Sequence, residues 1–147
     1  MSLDAIKTQL VVQENTVSGI KLVYANRPDV DPTEADMPCI INDYAKPFLQ
    51  VFSPMNGQCG YAWRFQVKFL WSALGLGQPS EWDANIEPYP ARLVAALFAT
   101  LTLTGAAFNL ELGDFDGFVP VVYGSSVYYG FSVPVTVREF VTTTIAA

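Results

Sequence analysis

Between positions 61 and 71 the chain reads Tyr-Ala-Trp-Arg-Phe-Gln-Val-Lys-Phe-Leu-Trp, and every odd position (Tyr61, Trp63, Phe65, Val67, Phe69, Trp71) is large and apolar. The even positions include Arg64, Gln66 and Lys68. A strand sends successive side chains to opposite faces, so strict alternation predicts a half-buried antiparallel strand. At about 3.4 Å per residue it spans roughly 35 Å, well beyond the usual strand of about 5–6 residues. A strand this long is the middle of a sheet, and its partners must lie in the flanking chain.

On the N-terminal side, Ser2 suits an N-cap, Asp4 suits a first helical turn, and Leu3, Ile6, Leu10 and Val11 fall on one face. A helix is expected over 3–14, ending near Ser18-Gly19. Ile20, Leu22 and Tyr24 then alternate as a strand. A loop with Pro28 and Pro32 carries Asp29, Asp31, Glu34 and Asp36, and short strands follow at 38–42 and 48–52. Asn56-Gly57 is the strongest hairpin signal in the chain and feeds the long strand.

On the C-terminal side, Gly75, Gly77, Pro79, Pro88 and Pro90 break regular structure over 75–90, and Pro90 fits the first position of a helix over about 91–103. That helix is apolar nearly all round, with Arg92 its only charge, which implies burial on more than one side. Residues 113–117 read as a turn. A hairpin across Gly124-Ser125-Ser126 joins 118–123 to 127–141, where Val127, Tyr129, Phe131, Val133, Val135, Val137 and Val141 share a face. Pro120 and Pro134 cannot donate to a ladder and mark edges or bulges. The expected fold is α+β: a twisted antiparallel sheet with two helices on one face, in a single domain over 1–147.

Of the 147 residues, 51% are hydrophobic and 15% charged, against about 25% charged in ordinary domains. So little charge coats a monomer poorly, and some apolar surface is expected to lie against another subunit. The net charge of −6, with no basic run, argues against gripping nucleic acid through its phosphates. The chain has no histidine, which removes the commonest general base and metal ligand together. Cys39 and Cys59 fit no zinc spacing, and neither a cofactor nor a metal is expected. Residues 93–110 carry no charge but hold Thr100, Thr102, Thr104, Gly105 and Asn109 without cationic flanks. A buried helix followed by a turn fits them better than a membrane span.

The candidate chemistry is thin. Gly57-Gln58-Cys59-Gly60-Tyr61-Ala62-Trp63 resembles the active-site segment of papain-like cysteine proteases, but Ala62 stands where the nucleophile belongs and no histidine exists to activate a thiol. The Asp29–Asp36 acids depart from a calcium loop, lacking its turn glycine and distal glutamate. Asp114 and Asp116 flank Phe115 in a glycine-bounded turn. Glu81, Trp82 and Asp83, with Glu87, lie in the proline-rich connection, where paired carboxylates for glycoside chemistry are the sharp reading and a solvated loop the plainer one. The aromatic row from Tyr61 to Trp71 suits a core face better than a ligand cavity or a base-stacking platform.

With the elements in order, the chain resembles the tail terminator proteins of long-tailed bacteriophages, the minor tail protein U-like or tail completion family. The pattern is a short helix, a strand, a loop with proline and acids, and a strand opening with Pro38-Cys39-Ile40-Ile41. A hairpin with a long alternating second arm follows, then an apolar helix. The last hairpin has an arm that begins near Tyr128-Tyr129-Gly130-Phe131. The long aromatic 72–90 connection and the prolines of the last hairpin depart from the family pattern.

The resemblance implies a structural virion protein without catalytic residues. It would form a hexameric ring that caps the tail tube, terminates tail elongation and provides the surface for head-tail joining. Its partners would be itself, the major tail tube protein and the head-tail connector, at the head-proximal end of a tail assembled in the host cytoplasm. Neither sequence-specific nucleic acid binding nor a membrane enters this picture. The acids Asp29, Asp31, Glu34, Asp36, Glu81, Asp83, Asp114 and Asp116, with Trp82, become candidate contacts with neighbours. The alternatives are a related neck protein, or a small-molecule binding domain with an aromatic-lined cavity.

Overall fold

A computed structural model of the chain describes residues 3–28, 31–33, 36–52, 58–73, 85–99, 109–124 and 126–142. Its elements run α1 (Leu3–Glu14), β1 (Leu22–Tyr24), β2 (Cys39–Phe52), β3 (Gln58–Ala73), α2 (Pro88–Phe98), β4 (Asn109–Leu112), β5 (Val119–Tyr123) and β6 (Ser126–Thr142). The fold is α+β. The alternating stretch is the centre of β3, which pairs antiparallel with β2 on one side and β6 on the other. The sheet order is β1-β2-β3-β6-β4, and β5 also pairs with β6.

Alternation decides the packing. Phe65, Val67 and Phe69 of β3 and Phe131, Val133, Val135 and Val137 of β6 share one face with Ile40 of β2. Both helices cover that face, α1 through Ile6 and Leu10, α2 through Tyr89, Leu93, Ala96 and Leu97. Phe69 stacks on Phe131 with centroids 4.8 Å apart, and Tyr89 lies 4.8 Å from Phe69 on its other side. Each fully buried side chain of this size contributes about 2 kcal/mol. Gly130 stands opposite Leu70, where a side chain would run into the Phe69 carbonyl.

Among the described residues, the other face is covered at one end, where Met37, Cys39, Ile41, Leu70, Val121, Tyr123 and Tyr128 cluster. The segment before β2 straps across them. Tyr128 donates its hydroxyl to the Pro32 carbonyl at 2.7 Å and Tyr123 to that of Pro28 at 3.5 Å.

Four expectations need correction. The sheet is mixed, because β1 and β2 are parallel; the strap between them is long enough for the crossover that parallel neighbours require. The two short strands expected at 38–42 and 48–52 are one strand, interrupted by a bulge between Tyr44 and Leu49. The bulge absorbs Pro47, which has no N–H to give a ladder. Helix α2 begins at Pro88, so Pro90 lies inside the first turn, where missing N–H groups cost nothing. On α1 the buried line is Ile6, Lys7, Leu10 and Glu14, with Val11 at its margin. Ser2 and the expected helical residues 100–103 lie outside the described residues.

Candidate functional site

Toward one end the sheet continues as a three-stranded arm made of residues 49–52, 58–63 and 137–142. Directly opposed residues share a face, so Leu49, Trp63 and Val137 form one row, and Val51, Tyr61 and Glu139 the next, on the side of the sheet that carries the helices. Phe48 is 47% exposed and Val51 56%. Phe48 stacks on Trp63 at 6.2 Å, and Tyr61 meets the same indole edge-on at 5.8 Å. The row ends in a carboxylate that is only 3% exposed, Glu139, whose Oε1 accepts the Trp63 indole N–H at 3.0 Å.

Among the described residues, no further strand pairs with the 49–52 edge of the arm or with its 139–142 edge. Among the described residues, β1 covers β2 only at Cys39–Ile41, and β4 covers β6 only as far as Arg138. From Asn42 to Phe52, and from Glu139 to Thr142, the outer backbone groups of β2 and β6 face no described strand. Such edges are templates for another chain. Lys46 and Pro47 at the bulge restrict pairing there and leave 49–52 as a clean, uncharged stretch.

On the opposite face of the sheet, polar side chains pair with one another. Arg64 donates to Gln50 Oε1 at 2.5 Å, Arg138 pairs with Glu111 at 2.6 Å, and Asp43 holds Arg27 at 2.7 Å and Lys68 at 3.3 Å. Lys46, Arg64, Gln66, Glu111, Pro134 and Thr136 are among the residues that line an open trough of about 410 Å³ there. A second depression of about 420 Å³ lies between Leu3, Tyr44, Phe48 and Lys46. Neither is lined by the 61–71 aromatic row, whose Phe65 and Phe69 are core.

The acids singled out in the sequence fall in separate places. Asp31 accepts from Ser126 Oγ at 3.1 Å and lies against the Gly124 turn (φ +62°), where a Cβ would strike its carboxylate. Asp36 accepts from the Thr33 backbone N–H at 2.9 Å, closing the strap on itself. Asp116 accepts from Ser132 Oγ, whereas Asp114 is exposed in the same turn. Asp31 and Asp36 thus hold the strap, and Asp116 the turn after β4. Asp29, Glu34, Glu81, Trp82 and Asp83 lie outside the described residues.

Two features escaped sequence reasoning. The first is Glu139 under Trp63. The second is Glu14, fully buried at the end of α1, where Asn42 donates to its Oε1 at 2.7 Å and also to the Tyr24 carbonyl at 3.1 Å. Burial pushes the Glu14 carboxyl up to about 8, with the Asn42 hydrogen bond opposing. Burial, helped by Asp36, pushes the Cys39 thiol up to about 12, so it is inert near neutrality.

Among the described residues, no group of three or more potential metal ligands forms, and no helix is long and apolar enough to cross a membrane. No protein-family model matches the chain, and no curated protein matches it as a relative.

Proposed function

We propose that the protein is a ring-forming structural component of a long-tailed phage virion, similar to the tail terminators. Its copies associate head to tail, and the ring caps the tail tube, ends its elongation and receives the head connector. The observation that carries this reading is the arm, each of whose outer edges faces no described strand. The outer edge of β2 and that of β6 are different surfaces on opposite sides of one sheet. A contact that joins them is heterologous and generates a ring when its rotation closes. The solvent side of α2 supports the same reading: Ala91, Ala95 and Ala99 are exposed there, and Phe98 is 41% exposed.

The test is mass in solution against concentration, with the same fractions imaged by negative stain and then mixed with tail tubes. A species of six chains showing rings, or tubes capped at one end, is the expected result. A strict monomer that neither caps nor co-sediments with tubes would sink the reading.

A further inference from the structure

The Glu139 carboxylate is buried in the arm with half its hydrogen-bonding capacity unused. Its Oε2 is shut off from water and, among the described residues, has no partner. A buried carboxylate held by a single neutral donor is a costly arrangement unless a counter-charge completes it. The nearest cation in sequence does not. Arg138 projects from the other face and is matched to Glu111. Arg27 and Lys68 are matched to Asp43.

Glu139 belongs to the stretch of β6 whose outer edge faces no described strand, and a chain added along that edge comes within side-chain reach of it. The surrounding row of Tyr61, Trp63 and the exposed Phe48 offers ring faces of the kind that attract cations. On the opposite outer edge, Lys46 is the only Lys or Arg of β2; it is exposed and, among the described residues, has no carboxylate partner. One edge carries an unmatched buried anion, and the other an unmatched exposed cation.

We infer that Glu139 is the receptor for a cation of a second copy of this chain, Lys46 of the adjoining subunit, in the head-to-tail contact of the arms. This rests on the ring reading and names the charge pair that gives the contact its direction. A stagger between neighbouring strands, usual where sheets close on themselves, brings the bulge of one copy toward the β6 edge of the next. The aromatic row then covers the pair from water, where it is strongest.

The test compares wild type, Glu139→Gln and Lys46→Gln by sedimentation and negative stain, alone and on tail tube ends, with thermal unfolding of each. Glu139→Gln keeps an acceptor for Trp63 and removes the charge. It should raise the unfolding temperature of the single chain while weakening ring formation about tenfold or more. Lys46→Gln should weaken rings to a similar degree and leave the unfolding temperature unchanged. Either variant assembling like wild type overturns the inference while the ring reading stands. A wild type that forms no rings, alone or on tubes, removes the ring reading itself.

Discussion

Among the described residues two carboxylates are buried, Glu14 and Glu139, and they solve the same problem differently. Glu14 and Glu139 each accept one hydrogen bond through Oε1, and each has an Oε2 without a described partner. Beside Glu14, however, Asn42 Oδ1 is also buried and unpartnered. A proton on Glu14 satisfies both oxygens at once, turning the pair into an acid–amide dimer that fastens α1 to β2. Lys7 on the same helix face is occupied by Asn26 and Tyr44, Arg92 of α2 by the Ser18 carbonyl, and Asp43 lies on the other face of the sheet. Among the described residues, no ion pair competes for the site. Beside Glu139, among the described residues, there is no matching acceptor, and its partner is the Trp63 indole. The first acid is completed within the chain and the second from outside it. Burial alone therefore does not say whether an acid belongs to the fold or to an interface; the identity of its unsatisfied neighbours does.

The largest test of this contrast is pH. Unfolded chains release the Glu14 proton near 4.5, whereas the folded chain keeps it to about 8. The folded state binds more protons throughout that window, so stability falls as pH rises through it and levels off above. The fall should be about 4 kcal/mol. Urea midpoints between pH 5 and 8.5 read it, below the range in which Cys39 matters. Glu14→Gln offers the same donor and acceptor without a titration, and should flatten most of the slope. An unchanged slope in that variant would break the comparison.

Next in size is Asn42→Ala, which leaves Glu14 with no partner and should cost about 2–3 kcal/mol at any pH in the window. Glu139→Gln sharpens the other half: relief of an uncompensated charge should raise single-chain stability by about 1 kcal/mol. The smallest effect is expected at Asp114, an exposed acid in the turn after β4. Asp114→Asn should change stability by no more than about 0.5 kcal/mol, marking the baseline for acids outside the interior. All three are read from denaturant midpoints at fixed pH.

Much of the architecture could be read from periodicity. The alternation around Phe65 and Phe69 marked the central strand, Leu93 and Leu97 marked the second helix, and the Val133–Val135–Val137 run marked its sheet partner. The parallel β1–β2 pair was not legible, because a strand carries no local sign of which neighbour it takes. Nor was the continuity of β2, since Lys46-Pro47 reads locally as a break and only the pairing of Leu49 with Trp63 restores it. The two buried acids did leave a trace. Glu14 continues the spacing of Ile6 and Leu10, and Glu139 sits in register with Val137 and Val141. An acid standing on an apolar line was the signal. Its partners, 28 and 76 residues away, were beyond any local pattern.

The position of β3 between β2 and β6 also governs how the chain comes off the ribosome. The β2–β3 hairpin is local and can close early, but its other edge must wait for β6, the last described strand to be made. Throughout that interval a strand of 16 residues, studded with Trp63, Phe65, Val67, Phe69 and Trp71, presents an unpaired edge to solvent. Truncation just before β6 therefore does more than remove one strand. It makes that exposure permanent, and the product is a chain built to aggregate.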